Sequence, residues 1–251
     1  MKILVTGLSG LIGSAVRTNL SVDHELTALN RSRVDGVATH QADIADFEAI
    51  RGAFEGQDAV VHLAAKAGEN YAWEALRDTN VEGTRNVFQA AVDAGVKRVV
   101  FASSGATVAG WEHDEPYRSL ISGDYARLPE TWPMIAVDQP PRPRGIYGST
   151  KVWGEALARH YADTTAASFV SIRIGFVNAD DRPTNPRQRS VWCSWRDVVN
   201  AVALAIVAPA SIRCETFFAN SRNRYGYRDL THGKARLGYE PMDAAEDRFS
   251  V

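Results

Sequence analysis

Tyr147 and Lys151 stand four positions apart in the stretch IYGSTKVWGE. On a helix that spacing puts both side chains on one face, about a turn apart. A free tyrosine titrates near pH 10, at about the value of an unperturbed phenol, and is a poor base at neutrality. A neighbouring ammonium favours the phenolate and would lower that value. The chemistry expected of the pair is therefore proton removal from a substrate hydroxyl, with hydride leaving the adjacent carbon. A helix-surface pair of no catalytic meaning is the alternative.

A second constellation, TGLSGLIG, carries Gly7, Gly10 and Gly13 and directly follows the apolar run KILVT. Glycines at these places permit unusual dihedrals and let a pyrophosphate approach backbone N–H groups where a helix begins. Leu11 and Ile12 fall in the same turn. A strand before the glycines and an amphipathic helix after them are the context that a dinucleotide-binding loop requires. After the second strand the residues are Asn30, Arg31, Ser32 and Arg33, with no carboxylate to accept from a ribose 2′-hydroxyl. Guanidinium groups suit a 2′-phosphate, so NADP is the expected cofactor. If both arginines are only solvated surface charges, NAD binds instead.

The elements that would hold these residues alternate regularly. Short apolar runs at KILVTG, HELTALN, AVVHLAA, RVVFASS, FVSIRIGFV and ETFFANS read as strands, separated by segments of helical period. The helix that bears the tyrosine is expected from about Tyr147 to Tyr161. Alternation of this kind predicts an α/β fold, a doubly wound parallel sheet covered by helices on both sides. Two stretches break the rhythm. The first runs from Trp111 to Arg144 and holds five of the ten prolines between positions 129 and 143; the second, NADDRPTNPRQRS, follows Phe176. Both read as irregular excursions, suited to form the walls of a substrate pocket. The expected division is a dinucleotide-binding domain over 1–175, with its excursion at 111–144, and a small substrate-binding portion over 176–251 packed on the same domain.

Composition limits the partners. The chain has 251 residues, 45% hydrophobic and 23% charged, with a formal charge of −2 and an isoelectric point near 6.3. No overall charge bias points to nucleic acid or to an anionic membrane. The apolar run AVALAIVA is too short to span a bilayer. An apolar strand starting almost at Met1 leaves no room for a leader, so a cytoplasmic protein is expected. Cys193 and Cys214 show no metal-ligand spacing and read as reduced, partly buried thiols, and no metal is expected.

Taken together, the glycine loop, Asp43 and Ile44, HLAA at His62–Ala65, NVEGT from Asn80, FASS from Phe101 and YGSTK from Tyr147 resemble the extended branch of the short-chain dehydrogenase/reductase superfamily. That resemblance covers most of the chain. It implies that Asp43 and Ile44 lie at the adenine, that Leu63, Ala64 and Ala65 run along the phosphates and ribose, that Asn80 braces the site, and that Ile174 lines the cofactor. It also implies that Lys151 holds the nicotinamide ribose and that a Ser or Thr after the fifth strand donates to the substrate oxygen. Ser103 and Ser104 are both available there, with Thr107 in reserve, and the register against uronate dehydrogenases selects Ser104.

Uronate dehydrogenases are the subgroup most similar, through FASS, RPRGIYGSTKVWGE, VSIRIG and SVWCSW. Aligning SVWCSW places Arg187 where that subgroup holds a substrate carboxylate, a solvated Arg187 being the alternative, while the register from the Thr-Val pair and the position after RIG imply that Gly105 and Phe176 face the substrate. Where those enzymes carry Asn-His this chain has Gly105-Ala106, and Phe176 and Ala67 replace serines. Each change removes a polar group, which implies a less polar pocket and altered specificity. Three functions follow: a dehydrogenase or reductase acting on a small, sugar-like molecule; an epimerase or dehydratase on a nucleotide sugar; or a noncatalytic NADP-binding sensor. Helices near Asn80–Ala94 and Tyr147–Tyr161 imply, by the same resemblance, a homodimer.

Overall fold

Alternate residues of each strand enter two different cores. In β1 (Lys2–Thr6), Ile3 and Val5 face one side of the sheet while Leu4 faces the other. The same division separates Val61 from Val60 in β4 (Ala59–His62) and Val100 from Val99 and Phe101 in β5 (Arg98–Ser104). Strands apolar on both faces require cover on both faces, which is why the sequence shows unbroken apolar runs rather than alternation. The computed structural model describes residues 1–249.

The sheet has seven strands, all parallel, in the order β3-β2-β1-β4-β5-β6-β7. Its remaining strands are β2 (Glu25–Asn30), β3 (Ala38–Gln41), β6 (Ser168–Ile174) and β7 (Cys214–Ala219). One face is covered by α1 (Leu11–Leu20) and by a second helix at Trp195–Ile206, whose Val198, Val202 and Ile206 meet Val16 and Leu20. The opposite face takes α2 (Phe47–Ile50) and two longer helices, Gly83–Asp93 and Gly145–Thr164, which contribute Val87, Phe88, Ala158 and Tyr161. In chain order the helices are α1, α2, α3 (Trp73–Leu76), α4 (Gly83–Asp93), α5 (Tyr117–Ser122), α6 (Gly145–Thr164), α7 (Pro186–Val191), α8 (Trp195–Ile206) and α9 (Thr231–Leu237). The expected α/β class and doubly wound sheet are the observed ones.

Three details differ from the sequence reading. Strand β3 was not expected, because ATHQ has no apolar run; it lies at the sheet edge with its first and last residues exposed. The tyrosine helix begins two residues earlier and ends three later than expected, at Gly145 and Thr164. Finally, the C-terminal portion contributes more than pocket walls, since its β7 and α8 complete the sheet and cover its face.

The excursion at 111–144 has a small core of its own. Tyr117, Leu120 and Ile135 pack with Val191 of α7, Phe218 of β7 and Tyr227. This third cluster ties the excursion to the C-terminal segment, over the carboxyl ends of β5 and β6. Both cysteines are free, Cys193 buried and Cys214 partly so. Among the described residues no helix is long and apolar enough to cross a membrane.

Candidate active site

A cleft of about 650 Å3 runs along the carboxyl ends of β1, β4, β5 and β6. At one end it is lined by Gly7, Gly10, Leu11, Ile12, Gly13, Leu63 and Ala65. Gly7 has a φ of 71°, and a Cβ there would meet the Ala64 backbone N at 2.8 Å. At Gly13 a Cβ would come within 2.5 Å of the Gly7 carbonyl and 2.6 Å of that of Leu8. Only glycine lets α1 start this close to the loop. The helix has no side-chain cap at Gly10 and no acidic residue in its first turn, so its N-terminal N–H groups and dipole face the cleft uncompensated. A dinucleotide pyrophosphate fits such a cradle.

The residues expected to meet the adenosine divide. Asn30 is nearly buried; its Oδ1 accepts from Leu8 N at 2.9 Å and its Nδ2 donates to Ser9 Oγ at 2.7 Å. Its side chain thus shapes the glycine loop. Arg31 and Arg33 are exposed just beyond β2. Asp43 accepts from Ala45 N in its own turn, and the Ile44 side chain packs against Gly83. Ala64 donates its N–H to Thr6 Oγ1. None of these six lines the cleft. Asn80 is buried outside it, accepting from Lys66 N at 2.8 Å and donating to Lys66 O and to Thr150 Oγ1. It therefore ties the loop after β4 to α6.

The pattern in YGSTKVWGE becomes intelligible where α6 crosses β5. A Cβ at Gly148 would meet Ala106 O at 2.7 Å, and one at Gly154 would meet the Phe101 ring at 2.5 Å. These two glycines let the helix lie close enough for Lys151 Nζ to donate to Ala102 O at 2.7 Å. Glu155 pairs with Arg173 at 2.8 Å and accepts from Ser103 Oγ at 2.5 Å. That engagement takes Ser103 into the scaffold. Thr107 is fully buried and donates to Ser104 O. Ser104, whose Oγ accepts from Ala106 N, is the hydroxyl that reaches Tyr147.

Electrostatics at the pair differ from the sequence expectation. Burial raises the Tyr147 phenol above its ordinary value, the hydrogen bond with Ser104 opposes that rise, and the Glu69 carboxylate adds to it. Desolvation brings Lys151 itself down to about 7 despite the nearby Glu155 charge. Its Nζ lies 5.9 Å from the Tyr147 ring centroid. Glu69, which has no place in the sequence motifs, lines the cleft beside Gly145.

At the other end of the cleft stand Ile174, Phe176, Arg187 and, unexpectedly, Arg228. Position 105 is glycine because the Arg228 guanidinium fills the space a side chain would occupy. Arg228 is almost fully buried, donating to Gly105 O at 3.2 Å and Asn220 Oδ1 at 3.3 Å. The pocket expected to be less polar thus receives a charged group from the C-terminal segment. Arg187 reaches the cleft, but its Nε and Nη2 donate to Glu112 at 2.7 and 2.8 Å. Its fork is filled by this chain's own carboxylate. Neither Glu112 nor Arg228 lies in a motif, and no local signal could have found them.

The family model described as NAD dependent epimerase/dehydratase family matches residues 3–199. An L-arabinose 1-dehydrogenase (NAD(P)(+)) of Haloferax volcanii is 32% identical over 96% of this chain and 96% of its own. An NAD-dependent glucose-6-phosphate dehydrogenase of the same organism is 31% identical, over 98% and 95%. The crystal structure of uronate dehydrogenase from Agrobacterium tumefaciens superposes with a TM-score of 0.82 at 32% identity, covering 98% of this chain and 86% of that one.

Proposed function

The chain belongs to the NAD dependent epimerase/dehydratase family, and from that premise we propose that it is a sugar dehydrogenase whose chemical centre is Ser104, Tyr147 and Lys151. The observation that carries this reading is their convergence in one cleft with the glycine cradle. When bound, an oxidised nicotinamide dinucleotide supplies the hydride acceptor and a positive ring charge. Tyr147 Oη takes the proton of the substrate hydroxyl, and Ser104 Oγ hydrogen-bonds the same oxygen and keeps it within reach. Lys151, held at Ala102 O, stands one turn from the phenol, where its ammonium can donate to a ribose hydroxyl and favour the phenolate. Since the phenol stands above its ordinary value in this fold, its use near neutrality depends on positive charge brought close to it.

NADP in preference to NAD is the finer part of the proposal. It rests on Arg31 and Arg33, exposed at the end of β2 with no carboxylate among Asn30–Arg33. Pairing of α4 and α6 with those of a second copy is likewise proposed, and sedimentation velocity tests it: a monomer at micromolar concentration removes it. A nucleotide-sugar epimerase is the second reading; it retains the cradle and the tyrosine but yields no net reduced cofactor. The deciding experiment mixes the protein with NAD+ or NADP+ and a panel of aldoses, sugar phosphates and uronates, and follows absorbance of the reduced nicotinamide. Steady accumulation of reduced cofactor with a sugar is expected. Isomerised sugar without it would favour the epimerase.

A further inference from the structure

Glu112 lies in the excursion, behind the cleft-lining Arg144 and Arg187, with a side chain only 1% exposed. Four donors converge on it: Arg187 Nε and Nη2 at 2.7 and 2.8 Å, Arg144 Nη1 at 3.1 Å, and the Tyr227 hydroxyl at 2.5 Å. Burial raises its carboxyl, but the hydrogen bond and charge of Arg187, the Tyr227 hydroxyl and the Arg228 charge prevail, and it stays below the ordinary carboxylate range. It is therefore an anion at any pH near neutrality, and it occupies Arg187 in the two-pronged way that guanidinium grips a carboxylate.

Resting on the sugar-dehydrogenase reading above, we propose that Glu112 is a specificity-determining residue: a built-in carboxylate that fills the Arg187 fork and turns the site against sugar acids, toward aldoses uncharged at that position. To hold a substrate carboxylate, Arg187 would have to release Glu112, leaving a buried anion with fewer donors. Sharing the fork instead would bring two carboxylates together where little water screens them. An uncharged hydroxymethyl group or a hydrogen meets neither obstacle. Arg228 suits such a substrate, since it lines the cleft and is already hydrogen-bonded to neutral oxygens. Sugar hydroxyls offer lone pairs to such a donor without importing charge.

The test compares matched sugars that differ only in an uncharged or a carboxylate C6, galactose against galacturonate and glucose against glucuronate. The parent is expected to favour the aldose in kcat/KM by at least about tenfold, the effect of one charge-assisted contact. Glu112→Ala and Glu112→Gln should each move that ratio toward the acid by about tenfold or more, and Arg187→Ala added to Glu112→Ala should abolish the shift. Galacturonate titrated calorimetrically onto the cofactor-loaded parent and variants should bind more tightly to Glu112→Ala than to the parent. A parent that prefers the acid, or equal galacturonate binding by the parent and a folded Glu112→Ala, overturns the proposal. Should no sugar reduce the cofactor, the dehydrogenase reading fails by itself, and the calorimetric comparison still decides whether Glu112 locks Arg187.

Discussion

The two ends of the cleft are built in opposite ways. At the cofactor end Gly7, Gly10 and Gly13 come from one turn, packed closely on its own backbone and on that of Ala64, with Asn30 holding Leu8 N. At the substrate end Glu112, Arg187 and Arg228 come from an excursion, a short helix and a C-terminal loop. Glu112 and Arg187 are 75 positions apart, and Gly105 and Arg228 are 123 apart. One end depends on the absence of side chains, the other on pairing among long charged ones. Excluding atoms is a local matter that a short motif can encode, whereas pairing charges needs the whole chain folded.

Substitutions should separate these ends. Between them stands Tyr147, and Tyr147→Phe should lower kcat for sugar oxidation by roughly 10^2–10^4, the usual worth of a positioned acid or base; a variant turning over at the parental rate would remove the proposed base. At the cofactor end, Gly13→Ala forces a backbone shift of the overpacking kind, costing about 1–3 kcal/mol. Fluorescence titration should then give an NAD Kd about ten to a hundred times higher. At the substrate end, Arg228→Met should reduce kcat/KM for an aldose about tenfold while the NAD Kd stays at the parental value. If Arg228→Met weakened cofactor and substrate alike, the division between the ends would be lost.

Smaller effects follow at the periphery. Arg31→Ala with Arg33→Ala, at exposed positions, should raise the NADP Kd by only about two- to fivefold and leave NAD unchanged, as expected of a screened charge pair. Lys151→Met tests the buried ammonium through stability. The folded-state value of Lys151 is about 7 against 10.5 for the free group, so the fold binds fewer protons than the unfolded chain between those values. The cost of burying the charge is fully present below about pH 7 and fades as pH rises toward 10.5. Thermal melts of Lys151→Met against the parent should show the larger relative gain at pH 6 and a shrinking one toward pH 10; a pH-independent difference would contradict the lowered value.

Legibility in the sequence follows the same line. The doubly wound sheet was readable because buried parallel strands must be apolar on both faces, and KILVT and AVVH are. The edge strand at Ala38–Gln41 was not, since ATHQ buries no apolar face. Ser104 could be preferred over Ser103 by register alone; its physical reason, the engagement of Ser103 by Glu155 and of Glu155 by Arg173, appears only when α6 lies on β5 and β6. The hold of Asn30 on Leu8 and Ser9 was likewise not legible, because it joins β2 to a loop more than twenty positions away.

What the sequence determined by itself is the chemistry: a tyrosine and a lysine one helical turn apart, and a glycine turn at the start of a helix, because both geometries are fixed by bonds a few residues long. What only the tertiary structure decided is which charges meet. Gly105 read as a lost polar group until Arg228 was found in its space, and Arg187 read as a free clamp until Glu112 was found in its fork. Coulomb interactions and hydrogen bonds depend on separation in space, and no local pattern in a chain fixes the separation of residues a hundred positions apart.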